Sequence, residues 1–336
     1  MSYQPPYKIT EDISTLIIEI GELVGSISVN RGMIANPKLR RENRIKTIYS
    51  SLAIEQNTLT LEQVTDVIKG KRVLAPPQDI KEVKNVNELY EKMSNLDPYS
   101  VEHLLFAHKI LMADLNNEAG RFRMKGAGVF AGEELIHPGT PPQYIPELIS
   151  QLFQWLKESK VHPLIKSCIF HYEFEYIHPF ADGNGRLGRF WHTLLLSKWK
   201  SFFAWLPIES LIHNQQQDYY YALNESNKDG ESTTFILFML KIIRDSLLEL
   251  PEISKIMTDK MTDKMTDKDS ERWEIIKNYL NENGDIKNLE VRKILDVSDS
   301  TAKRYMKKIV ELGLVGYSGE KKDRKYFLNK LKGDNE

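Results

Sequence analysis

Apolar residues recur three and four positions apart along most of this 336-residue chain, a spacing that predicts helices. Ile13, Leu16, Ile17, Ile20, Leu23 and Val24 form one such stripe, and Leu104, Leu105, His108, Leu111 and Met112 form another. A third runs through Ile165, Cys168, Ile169, Tyr172 and Tyr176. The rhythm breaks between Arg121 and His137. There Gly126, Gly128 and Gly132 interrupt short β-prone pieces such as Val129-Phe130, which predicts a small β-hairpin projecting from the helices. Pro138, Pro141 and Pro142 then precede an amphipathic helix from Tyr144 to about Lys160. The expected body is all-α with one hairpin.

After Leu250 the grammar changes. A thrice-repeated Met-Thr-Asp-Lys fills residues 257–268. A four-residue step drifts round a helix of about 3.6 residues per turn, so the repeat buries no continuous face and reads as a linker. Beyond it, Trp273, Ile276 and Leu280 mark one helix and Leu289, Val291, Ile294 and Leu295 a second. Ser298 is placed to cap a third helix carrying Ala302, Tyr305, Met306 and Ile309, which Gly313 stops. Leu314 to Tyr317 and Lys325 to Leu328 predict two strands across a polar turn. Three helices followed by a two-stranded wing resemble a small α+β winged helix-turn-helix. The expected organisation is an N-terminal helical region over 1–95, a core over 96–250, a linker over 251–270 and the winged module over 271–336.

Composition narrows the classes. At roughly 100–200 residues per domain the length allows two or three units, and 41% hydrophobic content fills at least one sizeable core. The net charge of −1 gives no global attraction to nucleic acid or membrane, so a charged partner must meet a local patch. One such patch is the module from Glu271 onward, with 15 Lys or Arg against 12 Asp or Glu, among them Lys303, Arg304, Lys307 and Lys308. That leaves DNA, a docking protein or plain solvation as alternatives for it. The single cysteine, Cys168, permits no disulfide within the chain. Residues 1–10 lack the apolar core of a signal peptide and no apolar run is long enough to span a bilayer, so cytoplasmic residence without membrane contact is expected.

The densest chemistry lies in one short run, His178-Pro179-Phe180-Ala181-Asp182-Gly183-Asn184-Gly185-Arg186-Leu187-Gly188-Arg189. It sits between two apolar segments and reads as a charged loop opening a buried helix, where phosphate oxygens meet unpaired N–H groups and the positive end of the helix dipole. Arg186 and Arg189 are three apart and project from one side, so their charges can converge on a polyphosphate. Asp182 is a hard oxygen ligand suited to Mg²⁺, which takes one or two carboxylates and completes its shell with water and phosphates. His178 is the nearby side chain whose ordinary pKa suits proton removal near neutrality. Gly183 and Gly185 let the backbone approach an anion closely.

This run resembles the signature of Fic-domain proteins, His-Pro-Phe-x-Asp/Glu-Gly-Asn-Gly-Arg-x-x-Arg, and matches it at every specified position. The resemblance implies an all-α Fic-type core with a β-hairpin flap. It also implies a protein adenylyltransferase in which His178 deprotonates a target hydroxyl, the oxygen attacks the α-phosphate of ATP, and AMP remains on a Ser, Thr or Tyr while pyrophosphate leaves. Asp182 would hold Mg²⁺, with Mn²⁺ as an alternative. Gly183, Asn184 and Gly185 would line the anion pocket, with Arg186 and Arg189 on the β- and γ-phosphates. A relative that phosphorylates its target carries lysine where this chain has Gly185, and glycine favours AMP transfer. Val129, Phe130 and Gly132 match the flap that lines the nucleotide site and pairs with a substrate strand, and Tyr219 and Asn227 fall where relatives contact base or ribose. Ser51 to Gln56 is similar to the inhibitory motif Ser/Thr-x-x-x-Glu-Gly/Asn, whose glutamate pairs with the second arginine. Here the pair would be Glu55 and Arg189, and Gln56 departs from the pattern. The implied partner is a protein bearing a hydroxyl side chain. Self-modification, homo-oligomer formation and DNA binding by the C-terminal module are left open. So are two alternative functions, a DNA-binding regulator with a nucleotide-sensing body and an enzyme removing AMP with the same loop.

Overall fold

The computed structural model describes residues 3–29, 37–126, 128–131, 134–250, 267–312, 314–319 and 324–328. Five helices come first: α1 (Glu11–Val29), α2 (Pro37–Ile54), α3 (Leu61–Ile68), α4 (Pro77–Lys92) and α5 (Val101–Leu111). A hairpin of β1 (Gly128–Ala131) and β2 (Glu134–Pro138) interrupts them. Then follow α6 (Ile145–Glu158), α7 (Pro163–Ile177), α8 (Asn184–Trp199), α9 (Ile208–Asn214), α10 (Gln216–Asp229) and α11 (Thr233–Leu248). The chain divides into two units, one ending at Ser246 and the other beginning at Leu247.

Helix boundaries follow local chemistry. Thr60 and Gln63 exchange reciprocal bonds in a capping box that starts α3, and the Ser100 hydroxyl accepts the His103 N–H to start α5. Pro77 and Pro163 stand in the first turns of α4 and α7, where a missing N–H costs nothing. α7 and α8 have no solvent face: most residues of both are buried, polar ones such as His171, Glu175, Arg189 and His192 included. Helices buried on all sides belong at the centre, and α7 packs along α8 with α6 against its flank. Phe153, Phe170 and Trp191 interlock there, with the Phe153 and Phe170 rings edge to face at 5.4 Å. α1 buries the expected Ile13, Leu16, Ile20, Leu23 and Val24, whereas Tyr176, predicted on the inner stripe of α7, is exposed. The loop joining these two central helices is the His178–Gly183 run.

The hairpin expected from the glycine-rich span is present. Gly128 pairs with Pro138 and Val129 with His137, then a bulge shifts the register so that Phe130 meets Leu135. Gly132 lies outside the described residues, as do Gly313 and all of the Met-Thr-Asp-Lys repeat before Asp267.

The second unit contains α12 (Asp267–Asn283), β3 (Ile286–Lys287), α13 (Asn288–Leu295), α14 (Asp299–Glu311), β4 (Val315–Ser318) and β5 (Lys325–Leu328). Trp273, Ile276, Leu280, Ala302, Tyr305, Met306 and Ile309 form its core, and Ser298 caps α14 by accepting the Thr301 N–H at 3.3 Å. Two features differ from expectation. β3 adds a third strand, giving the antiparallel order β3-β5-β4, and Leu289 is exposed while Val291 alone of α13 is fully buried. Among the described residues no helix is long and apolar enough to cross a membrane.

Candidate active site

α7 stops at His178, which adopts φ 51° and ψ 61°. An L-residue in this left-handed region costs about 1 kcal/mol, and a following proline restricts it further, so the turn must be held from outside. Arg123 holds it. Its Nε donates to the His178 carbonyl at 2.7 Å and its own N–H to the Pro179 carbonyl at 3.0 Å, while Nη1 and Nη2 reach the carbonyls of Lys125 at 2.8 Å and Thr140 at 2.6 Å. Burial lowers the pKa of this guanidinium from its ordinary value. Because Lys125 precedes β1 and Thr140 follows β2, one buried side chain ties both ends of the hairpin to the turn that presents His178.

Phe180 anchors the loop below. Its ring stacks on His108 at 3.7 Å, and its N–H and carbonyl bond the Asn184 side chain at 2.9 and 2.8 Å. The Asn184 side chain staples the loop, with both polar atoms engaged. His108 Nδ1 accepts the Gly120 N–H at 2.9 Å, so Nε2 carries the proton and donates to the Asp182 carbonyl at 3.0 Å. Burial pushes its pKa down to about 4, consistent with that neutral ring.

Gly183 caps α8 at φ 81°, where a Cβ would stand 2.8 Å from Met112 Sδ. Leu187 donates to the Gly183 carbonyl at 3.0 Å, which leaves the N–H groups of Asn184, Gly185 and Arg186 without intrahelical acceptors, as at any helix start. The Asp182 side chain is 57% exposed, and its Oδ1 accepts from the Gly183 N–H at 2.5 Å and from Arg186 Nη2 at 3.0 Å. Among the described residues no three His, Cys, Asp or Glu side chains cluster to hold a metal. Asp182 is an accessible carboxylate, the hard oxygen donor that Mg²⁺ or Mn²⁺ takes alongside phosphate and water.

The two arginines do not point at solvent. Arg189 is fully buried: Nη2 meets Glu55 Oε1 at 2.8 Å and the Ser51 carbonyl at 2.9 Å, while Nε donates to the Ser51 hydroxyl at 3.1 Å. Burial opposes the Arg189 charge, but Glu55 outweighs it and raises the pKa. Glu55 ends α2 in a Schellman arrangement, with Asn57 N–H bonded to the Leu52 carbonyl at 3.1 Å, Gln56 N–H to the Ala53 carbonyl at 3.0 Å, and Gln56 at φ 65°. Glycine or asparagine suits that position because it is left-handed. Arg186 lies between Asp182 at 3.0 Å and Glu82 of α4 at 3.2 Å.

The remaining expected site residues lie on other elements. Tyr219 is 2% exposed, its hydroxyl 3.1 Å from His171 Nε2 and its ring among Phe235 and Phe238. Asn227 accepts from the Tyr172 hydroxyl at 3.0 Å. Val129 and Phe130 lie on β1. Arg123, His108 and Glu82 were not foreseen. His108 occupied an apolar stripe, the one hint that a polar ring was being buried for a purpose. A cavity of about 550 Å³ opens between Ala181, Asn116, Glu118 and Lys125, next to the loop and the hairpin base.

The family profile described as Fic/DOC matches residues 95–196. A protein adenylyltransferase Fic of Nematostella vectensis is 27% identical over 226 residues, covering 64% of this chain and 50% of that protein. A protein adenylyltransferase fic-1 of Caenorhabditis elegans is 26% identical over 61% of this chain and 40% of its own length, so the chain spans half or less of these curated relatives. Among solved structures, a Fic family protein from Desulfovibrio desulfuricans G20 is 41% identical across 99% of this chain and 100% of that one, with a TM-score of 0.72.

Proposed function

Since this chain belongs to the Fic family, we propose that it transfers AMP from ATP to a Ser, Thr or Tyr hydroxyl of a protein and releases pyrophosphate. The observation that carries the reading is the joint placement of His178, Asp182 and the N–H groups opening α8 on one loop, with both arginines directly behind it.

In this reading the imidazole of His178 takes the proton of the target hydroxyl while its oxygen attacks the α-phosphorus. The bond from that phosphorus to the oxygen bridging to the β-phosphate breaks, and pyrophosphate departs with the electron pair. The N–H groups of Gly185 and Arg186 and the guanidinium of Arg186 neutralise charge that grows on the phosphate oxygens, and Arg189 receives the γ-phosphate once Glu55 withdraws. Asp182 would hold Mg²⁺ or Mn²⁺, which when bound would supply further positive charge for the phosphate oxygens. The cavity beside Ala181 has room for residues flanking the target hydroxyl, and the β1–β2 edge could pair with that segment.

Residues 1–95 then carry the restraint, 96–250 the catalytic core, 251–270 a linker and 271–336 a winged helix, the last supported by its helix and strand order. Lys303, Arg304 and Lys307 are exposed on α14 and would suit DNA phosphates; a salt-dependent gel shift lost on reversing these charges tests that role.

Incubation with labelled ATP and Mg²⁺ beside His178→Ala tests the reaction. Transfer should fall about 10²–10⁴-fold while ATP affinity is retained, because a general base contributes to the transition state and little to ground-state binding. Equal losses in both would overturn the role of His178.

A further inference from the structure

Glu82 belongs to α4, far in sequence from the loop, yet its Oε1 is 3.2 Å from Arg186 Nη1 and its side chain is largely buried. The contact is an ion pair without hydrogen-bond alignment: Nη1 and Nε of Arg186 are buried and have no hydrogen-bond partner among the described residues. A guanidinium carries five donors, and buried donors are normally satisfied. Arg186 is thus charge-neutralised but under-bonded, the condition of a group waiting for a better acceptor such as a phosphate oxygen.

The other oxygen of Glu82 is held by Asn57, whose Nδ2 donates to Oε2 at 2.8 Å and to the Asp79 carbonyl at 3.3 Å. Asn57 is also the residue whose N–H closes the Schellman end of α2, two positions after Glu55. One three-residue segment therefore engages both arginines of the loop, Arg189 directly through Glu55 and Arg186 through Asn57 and Glu82.

We propose that Glu82 is a second carboxylate competing with the polyphosphate, acting at Arg186, and that Asn57 couples it to Glu55 so that both arginines are released together. The proposal rests on the adenylyl-transfer reading, since it needs a triphosphate as the displacing ligand. Two carboxylates on one guanidinium give the Arg186 site an excess of negative charge that repels an incoming β-phosphate, and neutralising Glu82 removes that excess. Asp182 would remain to orient the guanidinium.

Calorimetric titration of the full chain with a non-hydrolysable ATP analogue and with AMP tests this in wild type, Glu55→Gly, Glu82→Gln, Asn57→Ala and the Glu55→Gly/Glu82→Gln and Glu55→Gly/Asn57→Ala pairs. Glu82→Gln keeps the shape and an acceptor for Asn57. In the Glu55→Gly background it should tighten the analogue about threefold to tenfold and leave AMP, which lacks the outer phosphates, unchanged. Asn57→Ala should also tighten the analogue, and its effect should shrink once Glu55 is already glycine, because the two act through one segment. A merely structural Glu82 would weaken binding when changed, so looser or unchanged analogue affinity, or an equal shift for AMP, overturns the proposal while leaving adenylyl transfer intact. If neither Glu55→Gly nor either double variant binds the analogue at all, the transfer reading falls and this proposal with it.

Discussion

Gly185 lies directly beneath Glu55: a Cβ built on residue 185 would collide with Glu55 Oε1 and stand 3.0 Å from Arg189 Nη1. The same small volume accommodates the carboxylate in this structure and, in the proposed reaction, a phosphate oxygen on its way to Arg189. Space at Gly185 is therefore shared between restraint and substrate.

Gly185→Ala should consequently do two things at once. It should displace the Glu55 carboxylate, which as a flexible side-chain end can swing away, and it should also obstruct the triphosphate and crowd Arg189. The expected net outcome is a loss of transfer of at least about tenfold, present in the Glu55→Gly background as well, since a displaced phosphate is a mispositioned one. Steady-state transfer rates of the single and double variants check it. A double variant as fast as Glu55→Gly alone would show that the space is not used by substrate.

Removing the carboxylate itself should separate activity from stability. Glu55→Gly leaves Arg189 fully buried with only its Ser51 bonds. Breaking a buried pair costs about 3–5 kcal/mol, and the one-third exposure of Glu55 reduces this to about 1–3 kcal/mol. Transfer should rise while the Tm of the ligand-free protein falls, and ATP with Mg²⁺ should raise the Tm of the variant more than that of wild type, because the γ-phosphate restores the missing counter-charge. Thermal melts with and without nucleotide read all three effects.

Gln56 offers a test of the helix end rather than of the charge. At φ 65° a glutamine is strained where glycine is not. Gln56→Gly should stabilise the chain by about 1 kcal/mol, less the entropy that glycine adds to the unfolded state, and should make the Glu55 contact firmer, lowering basal transfer. A β-branched residue such as valine should do the reverse. Denaturant midpoints and unstimulated transfer rates should move in opposite directions across the series.

The loop was legible because its chemistry is local: twelve consecutive residues supply the base, the carboxylate, the glycines and the cations. Glu55 and Arg189 are 134 residues apart and were paired in advance only through a motif. No comparable signal marks Arg123 or Glu82, whose partners are a carbonyl 55 residues away and an arginine on another helix; such pairings exist only after the helices have packed. The burial of Tyr219 was legible too. The buried face of α10 is Tyr219, Ala222, Leu223 and Ser226, an i, i+3, i+4, i+7 stripe that already pointed inward. β3, two residues long, is too short to display alternation.

Glu175 supplies the last prediction, one of pH. It lies under Arg189 on α7, 3.8 Å from His171 Nε2, and a Cβ on Gly188 would approach it to 2.5 Å. Burial pushes its pKa up to about 8; Arg189 opposes this, and Glu55, already facing Arg189, adds to it. Between pH about 4.5 and about 8 the folded chain therefore holds a proton that the unfolded chain has released, so this group's contribution to stability falls as pH rises across that window and is level on either side. Glu173 at about 7 and Glu209 at about 6 act in the same sense, and His108 and His192, both near 4, in the opposite sense at lower pH. The difference between Glu175→Gln and wild type isolates the one residue. From pH 5 to 8 the variant should gain on wild type by up to about 1.4 kcal/mol per pH unit, measured by denaturant unfolding at each pH. A difference that stays flat or falls over that range would mean that Glu175 is ionised in the folded protein and shares Arg189 with Glu55.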